Sequence, residues 1–226
     1  MDTTDITQAG LEAPAKSAKD LELRRRIMDK AQEIFLQFGF SRVTMDELAS
    51  ELGMSKKTLY KHFSSKEDLV LNIIRGMCTA IDCQIDIFMR DEHTNSVEKL
   101  NKILSYVHNT LSKINTSMAQ DVRRYMPDLW SEMERFRREH SERCVGALFQ
   151  QGMDEGIFRS DIDRQISVMI YTTAVNNLIN PSLLAELPYS ASDVYRNFVR
   201  IFFEGFLTDK GRSELSVVKE KTKRKK

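Results

Sequence analysis

Lys56, Lys57 and Lys61 fall in one short run, Ser55-Lys56-Lys57-Thr58-Leu59-Tyr60-Lys61-His62-Phe63, where grouped ammonium ions suit a polyanion. A lysine reaches guanine acceptors in a DNA groove or a phosphate oxygen. Leu59 and Phe63 are apolar and four apart, the spacing that anchors one face of a helix to a core. That leaves Ser55, Lys56, Lys57, Thr58, Tyr60, Lys61 and His62 on the side facing DNA. Lys66 opens a further helix whose first turn is otherwise acidic, which makes it a candidate phosphate contact. Thr44 caps the preceding helix, where free backbone amides also favour an anion. Other chemistry has little support. His140 and Cys144 have an i, i+4 spacing that can hold a metal, but no third or fourth ligand lies nearby in sequence. Cys78 and Cys83 are five apart and face different ways. No nucleophile–base pair, glycine-rich phosphate loop or paired-carboxylate motif stands out, so neither an enzyme nor a cofactor is expected.

The basic run needs a rigid mount, and the residues before it supply one. Thr44 and Glu47 have the spacing of a capping box, with Val43 and Leu48 as its hydrophobic staple. Gly53 sits where a helix must stop and turn, because glycine takes a left-handed backbone at little cost. Ser55 then caps a second helix, with Met54 and Leu59 as a second staple. Ala49 is small enough to let the two helices pack closely. The first helix is acidic (Asp46, Glu47, Glu51) and the second basic, as expected when only the second meets phosphate. Together these features predict a helix-turn-helix whose second helix docks in a major groove. The bland alternative is a helical hairpin with a solvated lysine face.

The chain has 226 residues, nine glycines and four prolines, and few alternating runs, which favours an all-α fold of about nine helices. The net charge of +1 conceals a basic stretch at residues 219–226, which reads as a disordered tail. Three cysteines do not make a disulfide framework. Residues 1–19 are polar and lack a signal-peptide core, and no run approaches the ~20 apolar residues of a bilayer span. A soluble cytoplasmic protein without a membrane partner is expected.

Beyond residue 66 the pattern predicts long helices, including one from about Asp128 to Met153, one from about Ile162 to Ile179 opened at Ser160 or Asp161, and one from about Ser190 to Leu207. Their methionines and aromatics suit a forgiving apolar cavity. The expected lining is Met77, Phe88, Tyr106, Tyr125, Met126, Trp130, Met133, Met169 and Asn177, with a small apolar or amphipathic ligand that the aromatics allow to be cationic. The expected cavity is on the order of 300–1,000 Å³. Phe198, Ile201, Phe202 and Phe206 make the last helix apolar over a broader face than one chain needs. With Ile166, Ile170 and Thr173 they are expected to close a homodimer interface.

Residues 24–70 resemble the TetR family of transcriptional regulators. The resemblance rests on Ile27, Ala31, Phe35, Gly39, Thr44, Leu48-Ala49, Gly53-Met54-Ser55, Thr58-Leu59-Tyr60, His62-Phe63 and Lys66-Glu67-Asp68-Leu69. It implies a homodimeric repressor that binds an inverted-repeat operator in double-stranded DNA and releases it when a small molecule enters the larger domain. It also implies that Tyr60 and His62 hold phosphates. Lys57 stands where many relatives have a small residue. The organisation expected is a flexible arm (1–19), a three-helix DNA-binding head (20–66), a helical ligand-binding and dimerisation domain (67–210) and a basic tail (211–226). A DNA-binding protein whose larger domain is a protein-interaction module without an inducer is the alternative.

Overall fold

The computed structural model describes residues 17–114 and 116–223, with side chains described to residue 216. The arm expected over 1–19 therefore lies outside the described residues up to residue 16. Ser17 already caps the first helix, its Oγ accepting the Asp20 N–H at 3.2 Å.

Three helices make the head: α1 (Ala18–Phe38), α2 (Met45–Glu51) and α3 (Lys56–His62). Ile27, Ala31 and Phe35 of α1, Leu48 and Ala49 of α2 and Leu59 of α3 form its centre, with Phe63 just beyond. The long α4 (Lys66–Arg90) leaves the head, capped by Ser65 and with Glu67 and Asp68 in its first turn. Acidic residues there complement the positive helix end.

The rest of the described chain is helical too: α5 (Ser96–Leu111), α6 (Thr116–Tyr125), α7 (Pro127–Asp154), α8 (Arg164–Leu178), α9 (Pro181–Ala185), α10 (Ala191–Glu204) and α11 (Asp209–Lys223). Proline sets the α6–α7 break: Pro127 lacks an N–H and serves as the first residue of α7. Buried residues fall into two clusters. One joins the head to α4, α6 and the start of α7, and the other joins α5, the rest of α7, α8 and α10.

Eleven helices appear among the described residues, against the nine expected. The first addition is α9, where Pro181 starts a helix instead of opening a loop; Asn180 caps it and Leu184 is buried. The second is α11, which replaces the expected disordered tail as far as Lys223. Thr208 fastens its start by donating from Oγ1 to the Gly156 carbonyl at 2.8 Å, and Glu214 accepts from the Asn95 amide at 2.7 Å. Residues 224–226 lie outside the described part. The cap of α8 is Asp163, two residues later than expected, because Asp161 pairs with Arg159 instead.

Candidate nucleic-acid interface and ligand cavity

The α2–α3 unit is held by short-range hydrogen bonds. Thr44 Oγ1 accepts the Glu47 N–H at 3.2 Å, and Glu47 returns a carboxylate oxygen to the Thr44 N–H at 2.8 Å. These bonds hold the Glu47 carboxyl below its usual pKa. Gly53 has φ +64°, open to glycine and strained for other residues, so the reversal there is written into the sequence. Ser55 Oγ accepts the Thr58 N–H at 3.1 Å. Leu59 and Phe63 are fully buried, which turns Lys57, Tyr60 and Lys61 outward on α3.

Three basic members of the candidate DNA-binding set also have protein partners. Lys56 Nζ pairs with Asp46 at 2.9 Å, so a phosphate must compete with that exposed carboxylate. His62 is almost wholly buried, its Nδ1 3.7 Å from Asp20, leaving the edge of its ring little room for a phosphate. Lys66 Nζ donates to the Phe40 and Val43 carbonyls, each at 3.0 Å, and so ties the start of α4 to the α1–α2 turn. Arg24 of α1 supports the same surface. Its guanidinium lies 4.0 Å from the Phe63 ring centroid, donates to Asn72 at 2.8 Å and bonds the His62 carbonyl, locking the end of α3 to α1 and α4. The run Arg24-Arg25-Arg26 is its signal in the sequence.

Behind the head, α4 to α10 line an apolar cavity of about 210 Å³, below the expected range. Met77, Trp130 and Met133 line it, with Ile81, Leu104, Val107, Met118 and Val122 among the aliphatic walls. The other six expected residues do not. Phe88 and Tyr106 pack on each other, ring centroids 6.0 Å apart. Tyr125 is an exposed edge partner of Phe40, and Met126 packs against the head cluster. Met169 is 59% exposed, and Asn177 donates to its own helix at Thr173.

The far wall holds the buried hydroxyl pair Tyr171 and Tyr195, 3.0 Å apart; burial pushes the Tyr171 pKa up to about 12. Cys144 Sγ lies 3.6 Å from His140 Nε2, but His140 Nδ1 is paired with Asp82 and burial pushes the thiol up. Among the described residues no group of three or more such side chains is arranged to hold a metal. Arg137 also lines the cavity, beside Trp130. Its place was legible in the spacing Trp130, Met133, Arg137, Ser141, Cys144, Leu148: an arginine on an apolar stripe.

Helix α6 touches both regions. Met118, Ala119 and Val122 line the cavity. Asp121, on the same helix, accepts the Ser41 N–H at 2.8 Å and lies against Gly39. A Cβ at Gly39, where φ is +81°, would fall 2.7 Å from that carboxylate and push it from Ser41.

The expected dimer residues divide in two. Ile166, Ile170, Thr173 and Ile201 are exposed on α8 and α10, Ile201 at 71%. Phe198, Phe202 and Phe206 turn inward: Phe202 packs on Tyr171 at 5.6 Å and on Phe206 at 4.7 Å, and Phe206 packs on Phe149 at 4.9 Å. These three belong chiefly to the chain's own core.

The fold and the head by themselves define a class: a helical protein with an amino-terminal helix-turn-helix. Residues 27–73 match the family model described as bacterial regulatory proteins, tetR family. The chain is 26% identical over 186 residues to the HTH-type transcriptional regulator YvaF of Bacillus subtilis, spanning 82% of this chain and 96% of that protein. A transcriptional regulator from Cytophaga hutchinsonii superimposes with a TM-score of 0.63 at 21% identity, covering 83% of this chain and 98% of its own. Another, from Saccharomonospora viridis in complex with choline, gives 0.59 at 20% identity, covering 83% and 99%. Residues 27–73 thus match that family's amino-terminal DNA-binding domain, and the chain as a whole is similar to HTH-type transcriptional regulators.

Proposed function

We propose that the protein is a ligand-responsive homodimeric repressor, released from an inverted-repeat operator when a small apolar or amphipathic molecule enters the cavity behind the head. The observation that carries this reading is the double contact of α6. A ligand that displaces Met118, Ala119 or Val122 must move the helix whose Asp121 grips the Ser41 N–H at the hinge between α1 and α2. A ligand shifts an equilibrium only through differential affinity for two states, and this helix offers a structural means for such a difference.

In the same reading α3 enters the major groove. Ser55, Lys56, Lys57, Thr58, Tyr60 and Lys61 meet bases and phosphates, and Thr44 offers a capped helix start to the backbone. Lys66 and His62 act as buttresses for that surface. Exposed Ile166, Met169, Ile170 and Ile201 provide the apolar face for a second copy, which would pair two recognition helices about one DNA turn apart. The cavity favours an inducer over a protein-interaction module, since a solidly packed body would leave it no space. The choline-bound neighbour supports the idea that this architecture accommodates a small molecule.

The test is release. A duplex selected from random sequence by the protein is titrated with a small-molecule library, following fluorescence anisotropy. At least one compound is expected to weaken DNA binding fivefold or more, the lower end of a typical coupling of about 1–3 kcal/mol. Binding that no compound in a broad apolar and amphipathic library alters contradicts the inducer.

A further inference from the structure

We propose that the cavity takes an elongated apolar molecule ending in a carboxylate, with Arg137 as the group that holds the carboxylate. This rests on the effector reading above and narrows it to a chemical class.

Arg137 lies on α7 at the cavity wall, flanked along its helix face by Met133 and Ser141. Its Nε donates to Asn176 Oδ1 at 3.1 Å, and the guanidinium sits 5.6 Å from the Trp130 ring centroid. Its Nη2 is buried and has no hydrogen-bond partner. The acid one turn away, Glu134, gives a carboxylate oxygen to the Trp130 indole N–H at 2.9 Å. Burial, the largest influence on Arg137, disfavours its charge, with Glu134 offsetting part of that. Lys99 shows how the same chain treats a buried cation with a purely structural role: its Nζ donates to Met89 O at 2.8 Å and Gln151 Oε1 at 3.0 Å. A buried cationic donor left unmatched is costly unless something else completes it.

The rest of the cavity says what the completing molecule must be. Its α7 wall runs from Trp130 to Leu148, which at ~1.5 Å rise per residue is roughly 27 Å. Spread along that length, about 210 Å³ is a narrow slot. Its other walls are mostly aliphatic, so a small inorganic anion would lose its hydration and regain little. A cationic ligand meets Arg137 already occupying the Trp130 face. A neutral apolar ligand fills the slot but leaves Nη2 without an acceptor. A carboxylate on a linear tail satisfies both, because a guanidinium fork matches a carboxylate and the tail matches the slot.

The experiment titrates the full-length protein with octanoate, decanoate and dodecanoate, and with 1-decanol and decyltrimethylammonium, by calorimetry and melting temperature. Decanoate is expected to bind at least about tenfold more tightly than decanol, the worth of a charge-assisted hydrogen bond. Decyltrimethylammonium should be weakest. Arg137→Met should bring decanoate and decanol to within about threefold of each other, and Arg137→Lys should keep part of the preference. Arg137→Met should also raise the melting temperature of the ligand-free protein, since an apolar side chain of similar reach removes an unmatched buried charge. A lowered melting temperature for a folded Arg137→Met protein overturns the idea that the guanidinium awaits a partner. Alcohol or ammonium binding as tightly as carboxylate overturns the proposed class but leaves the effector reading standing. If none of the five probes binds and the library also fails to release DNA, both are overturned.

Discussion

In the head, polar side chains find their partners within the protein: Thr44 with Glu47, Ser55 with Thr58, Lys66 with two turn carbonyls, Arg24 with the end of α3. Around the cavity, Arg137 buries a donor that nothing accepts, in a slot walled by aliphatic side chains. The head is thus held in one shape by its own side chains, with Lys57, Tyr60 and Lys61 turned outward on α3. In the proposed reading the cavity half is left for a ligand to complete. A surface that reads a fixed geometry gains from preorganisation, whereas a half that must respond to a small molecule needs an interaction which only that molecule supplies.

The largest expected effect comes from the body. Phe202→Glu should unfold the chain or cost it several kcal/mol, because it drives a charge among Phe149, Tyr171 and Phe206. Ile170→Glu combined with Ile201→Glu alters only exposed positions and should leave each chain folded while giving monomers by light scattering. A folded Phe202→Glu protein, or a double variant that stays dimeric, breaks this division between core and contact face. Next is the link between the halves. Asp121→Ala should bind DNA within about threefold of wild type, but its release by an effector should fall from fivefold or more to less than about twofold, since the hydrogen bond it removes is the one joining α6 to Ser41. Undiminished release would move the coupling elsewhere.

Within the head, Thr44→Ala should cost about 1 kcal/mol by chemical denaturation, with Thr44→Ser restoring most of it. The smallest effect is in pH. The folded state lowers the pKa of Glu47, so its contribution is fully present above the ordinary carboxylate range and is lost as pH falls through the lowered value. Glu47→Gln should flatten that part of the stability profile between about pH 5 and pH 3, read from melting temperature.

The head was nearly all legible in the sequence because its signals are local. Thr44-x-x-Glu47, Gly53 and Ser55 each act within four residues, and Leu59 with Phe63 fixes which side of α3 turns outward. The cavity was legible as a composition but less so as a list. Phe88 and Tyr106 look like lining residues until α4 and α5 are set side by side and the two rings consume each other. Phe202 looks like a contact residue until Phe149 and Tyr171 arrive from α7 and α8. The basic tail reads as unstructured by its charge, yet α11 is held by Thr208, Lys210 and Glu214 through distant Gly156, Glu155 and Asn95. His62 and Lys66 fall between these cases, their cationic character plain and their partners Asp20, Phe40 and Val43 visible only once the head has folded.

The central claim is that α3 reads DNA through its exposed lysines. The most direct measurement is a fluorescence-anisotropy titration of a duplex selected by the wild-type protein, repeated across salt concentration for wild type and for Lys56→Ala, Lys57→Ala and Lys61→Ala combined. The triple variant should melt like wild type and bind at least about a hundredfold more weakly. Its log–log salt slope should flatten by about one unit for each phosphate that a lysine no longer neutralises, up to about three. A folded triple variant with unchanged affinity and an unchanged salt slope would contradict the assignment of α3 as the recognition helix.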